Sequence, residues 1–393
     1  MSWPTVKLGD IFDISSSKRV HQEDWREEGV PFYRAREVVI LAKDGVVENN
    51  LFIEEAMYEE YKEKYGVPQE DDILVTAVGT LGQTYAVKKD DRFYFKDASV
   101  ILLRKKTEVN IPYILHALNS VDVQRIIKKS DGATVGTYTI SRAKETEIPL
   151  PPLAEQKRIA AILDKADNLR RKRQQAIQLA DDFLRAVFLD MFGDPVTNPK
   201  GWPIQNVEDV CTDIVDCINK TAKTVDYETP YKMIRTTNVR DYELDLTNCR
   251  FAEKDVYEKW VSRLVPEKDD IIFTREAPAG EAAIFNSDEK VFLGQRTMQF
   301  RPDQSVLNSC FLLYEMMGGG IKRQMDKMSS GSTVKHLSVP ECKKFKVRTP
   351  PLEFQNKFKK IRNKILTLQH SESDAEALPM FDSVSQSAFS GEL

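Results

Sequence analysis

The first 210 residues of this 393-residue chain contain no cysteine; all five, Cys211, Cys217, Cys249, Cys310 and Cys342, come later. A fold held by disulfides would need them in both halves, so the thiols are expected to be reduced, as in a cytoplasmic protein. No apolar run approaches the ~20 residues that span a bilayer, and the N-terminal stretch lacks a signal peptide's apolar segment. A charge excess is missing too. With 57 Lys and Arg against 61 Asp and Glu, the net charge is −4, so any nucleic-acid contact must come from local basic patches. Cofactor cradles are absent: there is no Gly-x-Gly-x-x-Gly or Walker A loop, and no Asn-Pro-Pro-Tyr or Asp-Pro-Pro-Tyr run. His21, His116, His336 and His370 are scattered, and Cys211 and Cys217 lack metal-ligand spacing. These absences argue against intrinsic catalysis and against a metal or cofactor in this chain.

What is present is a duplication. Trp3-Pro4 returns as Trp202-Pro203, Asp10 as Asp209, Pro31 as Pro230 and Tyr58 as Tyr257. Val67-Pro-Gln-Glu-Asp-Asp-Ile73 returns as Val265-Pro-Glu-Lys-Asp-Asp-Ile271, and Thr76 and Gly82 are answered by Thr274 and Gly280. Gly132-Ala-Thr-Val135 matches Gly331-Ser-Thr-Val334, and Pro151-Pro-Leu-Ala-Glu-Gln156 matches Pro350-Pro-Leu-Glu-Phe-Gln355. A period this long is no solenoid repeat. It predicts two homologous domains, each closed by the same helical segment. The expected division is 1–152 and 194–351 for the domains, 153–193 for a central helix, and 352–393 for a second helix and tail.

Within each domain, short apolar runs separated by turn residues read as strands: Val6–Leu8, Ile73–Thr76, Gln83–Val87 and Ala98–Leu103, echoed by Ile204–Val207, Asp270–Thr274, Ala282–Phe285 and Met298–Phe300. Helical patterns follow over 111–129 and 307–328. Each domain is therefore expected to be α+β with a mainly antiparallel sheet.

From Leu153 to Phe192 there is neither glycine nor proline. Ile159, Ile162, Ala166, Leu169, Arg173, Ala176, Ala180, Phe183 and Val187 recur at 3,4 spacing, which reads as a heptad seam with one polar break, and Leu163, Ile177 and Leu184 widen the stripe. At ~1.5 Å per residue such a helix spans roughly 60 Å. Phe358, Ile361, Ile365 and Leu368 begin the same pattern, which Ser371-Glu-Ser-Asp374 and Pro379 then interrupt. Sharing seams requires the two helices to lie side by side and antiparallel, a coiled-coil spacer with a pseudo-twofold axis between the domains. A ruler carrying two diverged readers suits a bipartite linear target, since dimeric readers match half-sites about 34 Å apart on DNA.

Leu150-Pro-Pro-Leu-Ala-Glu-Gln-Lys-Arg-Ile159, the helix ending Phe192-Gly-Asp-Pro195, the restart Asn198-Pro-Lys-Gly-Trp-Pro203 and the terminal Ala388-Phe-Ser-Gly-Glu-Leu393 resemble the DNA specificity subunit of type I restriction-modification enzymes. The resemblance covers essentially the whole chain. It implies two target recognition domains, each reading half of a split asymmetric site in double-stranded DNA. It also implies helices that set the gap and dock two methyltransferase (modification) subunits, with restriction/translocase subunits completing the enzyme. AdoMet, ATP and Mg²⁺ then belong to the partners. The competing readings are a protein-binding scaffold, which the acidic balance favours and steep salt dependence of DNA binding would exclude, and a self-contained methyltransferase or nuclease, which the missing loops disfavour.

Base readout calls for side chains that reach groove edges, with hydroxyls and amides on phosphates. Arg34-Ala-Arg36 lines up with Arg235-Thr-Thr-Asn238 just after a predicted strand. Thr76 and Thr274 end matching strands, with Gln83 and Arg275 nearby. Ser130-Asp-Gly-Ala-Thr134 and Ser329-Ser-Gly-Ser-Thr333, the latter followed by Lys335, are glycine-containing loops suited to phosphate. Arg170-Arg-Lys-Arg173 is expected to be a solvated or partner-facing helix surface.

Overall fold

The computed structural model describes residues 3–129, 136–328, 337–369 and 377–392. The chain forms two compact units, one comprising Met1–Gln174 with Glu372–Leu393 and the other Gln175–Ser371. These units cut across the four-segment division, because each shares part of the helical segments.

Unit 1 contains an antiparallel sheet in the order Phe12–Ser15, Val100–Lys105, Ile73–Thr76, Thr84–Ala86. Unit 2 repeats it strand for strand with Cys211–Asp216, Thr297–Pro302, Ile271–Thr274 and Ala282–Ile284. Ile73–Thr76 and Ile271–Thr274 are buried at all four positions. Covered on both faces, they read as continuous apolar runs rather than alternating ones. A smaller pair closes each unit, Thr5–Lys7 with Glu147–Pro149 and Ile204–Asn206 with Lys346–Arg348.

The expectation of mainly antiparallel pairing holds for these sheets but misses a second one. In unit 1, Val30–Tyr33 pairs antiparallel with Phe52–Ile53 and parallel with Tyr94–Phe95. In unit 2, Tyr231–Ile234 pairs antiparallel with Arg250–Phe251 and parallel with Lys290–Leu293. Parallel neighbours require a long crossover, and here the intervening chain supplies it. The expected helices over 111–129 and 307–328 are each two: Ile111–Asn119 with Val121–Lys128, and Ser309–Met317 with Gly319–Met328. Ser120 and Gly318 adopt extended backbone and break them.

Several repeated motifs prove to be scaffold. The Gln156 side chain accepts from the Asn110 N–H and donates to the Pro151 carbonyl (2.9 and 2.8 Å); Gln355 does the same with Asn308 and Pro350 (2.9 and 2.6 Å). Asn110 and Asn308 in turn cap the helices that follow them. Asp72 and Asp270 accept turn N–H groups from Gln69 and Glu267 and pair with Arg104 and Arg301 on the neighbouring strand. Asp71 and Asp269 before them sit at φ 71° and 72°, a left-handed conformation that aspartate tolerates better than most residues.

The central helix runs unbroken over Leu153–Phe192. Its buried row differs from the expected seam. Ile159 and Leu163 are fully buried in unit 1, and Leu184, Phe188 and Phe192 in unit 2, whereas Leu169 is 55% and Phe183 51% exposed, and Ala176 is exposed. One row of the heptad, containing Ile159, Ala166, Ala180 and Val187, is partly or fully covered as expected. Its partner row lies one residue further on, at Leu163, Ile177 and Leu184, with Ile162 half-buried beside it. Both rows carry apolar residues, so 3,4 spacing alone does not choose between them.

In unit 2 the helix Leu352–Gln369 lies antiparallel to the central helix. Phe358 meets Phe188 and Phe192 with ring centroids 5.2 and 6.0 Å apart, and Gln369 Nε2 donates to Ile177 O at 3.5 Å. Ile361 and Ile365 join this core, but Leu368 is 64% exposed and leaves the seam. The last helix, Ala377–Ser390, holds Pro379 in its first turn, where no internal N–H bond is lost. Its Val384, Ala388 and Phe389 pack into unit 1 against a core that includes Ile159 and Leu163. No helix among the described residues is long and apolar enough to cross a membrane.

Candidate nucleic-acid interface

In each unit the two parallel strands end side by side, so whatever follows them in sequence is brought to one edge. Unit 1 places there the helix start at Arg34 and the turn Lys96–Ser99; unit 2 places Arg235 and the turn Gly294–Arg296. The same two backbone bonds fix both turns. Lys96 N–H donates to Tyr33 O and Ala77 N–H to Ser99 O; Gly294 N–H donates to Ile234 O and Arg275 N–H to Arg296 O. Unit 2 spans these anchors with one residue fewer.

The aligned polar positions divide into fixed and free. Arg34 is the N-cap residue of the helix Ala35–Asp44; its backbone N–H, Nε and Nη2 donate to the Glu37 carboxylate at 3.0, 3.0 and 2.7 Å. Burial disfavours the Glu37 anion, but hydrogen bonds from the Arg34 side chain and backbone outweigh it and hold the carboxyl below its ordinary range. Asn238, which occupies the same register in unit 2, is 2% exposed; its Oδ1 accepts from the Arg235 N–H and its Nδ2 donates to Asp245 O. Arg235 donates to Asn248 O at 3.1 Å, while its Nε–H is buried without an acceptor among the described residues. Glu37 and Asn238 are thus local caps. Arg36 and Thr237, one residue earlier, are the exposed positions.

Thr76 and Thr274 are fully buried, and their hydroxyls close loops: each donates to a carbonyl four residues on (Thr80, Pro278) and accepts an N–H seven residues on (Gln83, Glu281). In this conformation neither reaches a ligand, and a structural strand cap accounts for both. Arg275 is partly buried, donating to Leu337 O at 3.1 Å and lying 3.6 Å from Asp216, and it lines a cavity with Gln295 and Arg296. Gln83 lines a cleft of about 880 Å³ with Lys43, Lys88, His116, Asp164 and Arg171. Ser130, Thr134, Thr333 and Lys335 lie outside the described residues. Arg170 and Arg171 both bind Asp167 at 2.6–3.0 Å; burial opposes its ionisation, yet the two guanidiniums hold it low.

Sequence reasoning missed the residues around the unit 2 turn. A cavity of about 360 Å³ is lined by Thr221, Arg235, Thr237, Arg250, Gln295 and Arg296. The signal available was a Gly-Gln-Arg-Thr turn between two strand patterns. The cysteines carry no comparable chemistry: all five thiols are free, and burial pushes Cys211 and Cys342 up to about 12 and Cys217, Cys249 and Cys310 to about 11, far from a reactive thiolate.

Comparison with known proteins gives a consistent picture. The family model described as type I restriction modification DNA specificity domain matches twice, over residues 1–179 and 199–368. A putative type I restriction enzyme specificity subunit of Haemophilus influenzae is 30% identical over 181 residues, covering 44% of this chain and 43% of its own length. The MjaVIII specificity subunit of Methanocaldococcus jannaschii is 24% identical, covering 90% of this chain and 83% of its own. For the EcoBI specificity subunit of Escherichia coli the values are 21%, 90% and 77%. The crystal structure of the type I restriction-modification S subunit from M. genitalium superposes with a TM-score of 0.58 at 17% identity, over 99% of this chain and 96% of that one, a likeness of fold.

Proposed function

The chain belongs to the type I restriction-modification DNA specificity family, and from that premise we propose that each unit reads one half of a bipartite, asymmetric site in double-stranded DNA. As a specificity subunit it performs no chemistry itself. Two methyltransferase subunits dock on the helical segments, restriction subunits complete the enzyme, and AdoMet, ATP and Mg²⁺ act in those partners. The length of the central helix sets the gap between half-sites.

The observation that carries this reading is one edge built twice on one scaffold with different exposed side chains. Caps, turn aspartates and buried threonines correspond between the units, while the position of Arg36 in unit 1 is taken by Thr237 in unit 2 and that of Lys96–Ser99 by Gly294–Arg296. A pair of readers for unlike sequences needs that division, since backbone geometry positions a reader and side chains at base edges specify it. The test is methylation-site sequencing of genomic DNA from cells carrying the modification subunits with and without this chain. A split motif of two unlike halves, present only with the chain, is the expected result. An uninterrupted motif, or no difference, sinks the proposal.

A further inference from the structure

Building on the reading just given, we propose that the turn Gln295–Arg296 is the base-reading element of unit 2, with Arg296 directed at a guanine and Gln295 at an adenine.

Its backbone is fixed on every side. Gly294 N–H donates to Ile234 O at 2.7 Å, Thr297 Oγ1 donates to Gly294 O at 2.7 Å, and Arg296 O accepts from Arg275 N–H at 2.8 Å. Gly294 is required here, because a Cβ would meet Ile234 O at 2.6 Å. Arg296 itself sits at φ 71°, a left-handed conformation that side-chain-bearing residues rarely adopt. Such departures cluster where a ligand dictates side-chain direction.

The two side chains on this rigid turn are exposed and lightly held. Gln295 Nε2 donates to Thr221 Oγ1 at 3.2 Å, and Arg296 Nε lies 3.1 Å from Glu276 Oε2 with the arginine side chain 54% exposed. The Gln295–Thr221 bond is exposed, and the Arg296–Glu276 pair is exposed on its arginine side with Glu276 17% exposed, so each reader side chain has one bond to exchange for stronger ones. The guanidinium fork matches the O6 and N7 acceptors of guanine, and a carboxamide matches N6 and N7 of adenine. Arg296 stands between two concavities, the one with Arg235 and Arg250 and another of about 460 Å³ that includes Asn219 and Glu276. Arg250 makes no ion pair among the described residues and is exposed, so cations flank the reader where phosphates would lie. Unit 1 has no arginine at the matching turn: Asp97 there pairs with Arg19 at 3.0 Å, Ser99 takes the place of Arg296, and the left-handed residue is Ala98 just before it, at φ 60°. Two half-sites of different sequence require such a difference.

The experiment compares methylation motifs in genomic DNA of cells carrying the modification subunits with wild-type chain, Arg296→Ala, Arg296→Lys or Gln295→Ala. With Arg296→Ala, preference at one G·C pair of a single half-site is expected to fall about 5- to 150-fold, with the other half-site and the gap unchanged. Arg296→Lys keeps the charge but not the fork and should relax the same position. Gln295→Ala should relax a different position of that half-site. An unchanged motif with Arg296→Ala, or uniform loss at all positions that Arg296→Lys restores, overturns the assignment, since the latter marks a phosphate contact. If the wild-type chain directs no split motif, the DNA-recognition reading itself fails.

Discussion

Unit 1 and unit 2 secure the same corner with opposite chemistry. In unit 2, Arg348 on the strand Lys346–Arg348 is 1% exposed. It pairs with Glu315 at 2.7–3.2 Å and donates to the Phe192 and Gly193 carbonyls at 2.8 Å, tying down the end of the central helix. In unit 1 the matching positions are Pro149 and Ala117, which carry no charge, and Tyr113, at the position of Phe311, donates its hydroxyl to Pro149 O at 2.8 Å. Trp3 and Trp202 are common to both, donating from Nε1 to Ala388 O and Phe192 O at 2.9 Å. A buried ion pair and an uncharged corner are interchangeable as complete sets. A half-set is not, because removing one charge strands the other in a low-dielectric interior.

The sharpest way to break this comparison is Arg348→Ala. It should cost unit 2 about 3–5 kcal/mol, read as lost hydrogen-exchange protection in unit 2 peptides with unit 1 peptides unchanged; equal loss in both would mean the corner is not local to its unit. The corrected seam comes next. Leu163→Ala and Leu184→Ala should each destabilise by about 2–5 kcal/mol, the first in unit 1 and the second in unit 2. Leu169→Ala and Phe183→Ala should change stability by under about 0.5 kcal/mol, and the reverse ranking would restore the original row.

Gln156→Ala and Gln355→Ala test what the units share. Each leaves an N–H unpaired, part-buried at Asn110 and buried at Asn308, and should cost about 1–3 kcal/mol in its own unit, with the larger loss for Gln355→Ala; the reverse order would show the motif doing different work. The smallest effect belongs to a feature of unit 1 alone. Because Glu37 is held below its ordinary range in the folded chain, its stabilisation is present at neutral pH and is lost as pH falls below the usual carboxylate range. Exchange protection of Ala35–Asp44 should weaken there, Glu37→Gln should remove that dependence, and the Asn238-capped turn of unit 2 should show none.

Much of this was legible in sequence wherever a motif acts locally. Ile73–Thr76 was read with its final boundaries, because turn residues bracket a run buried on both faces. The central helix ran its predicted length, since nothing between Leu153 and Phe192 breaks it. At the candidate interface the register of Arg34 with Arg235 was visible, but the roles were not. Arg34 and Asn238 look like readers in a string of letters; only the structure shows Arg34 tied to the capping Glu37, and Asn238 buried as the cap of the turn that Arg235 begins. Thr76 and Thr274 share this ambiguity, since a hydroxyl repeated in both copies closes a turn inside the core. Gln295 and Arg296 were overlooked because their importance comes from a strand sixty residues away in the chain.

Taken alone, the sequence decided that the fold occurs twice, that a long helix follows each copy, and which small motifs cap and turn the chain, because those rest on contacts within a few residues. Tertiary structure decided the direction of the Tyr94–Phe95 and Lys290–Leu293 strands, the row of the central helix that is buried, and the side chains left free at the edge. Strand alternation and heptad spacing are the same for either direction and for neighbouring rows, so the choice falls to the distant surfaces that cover them.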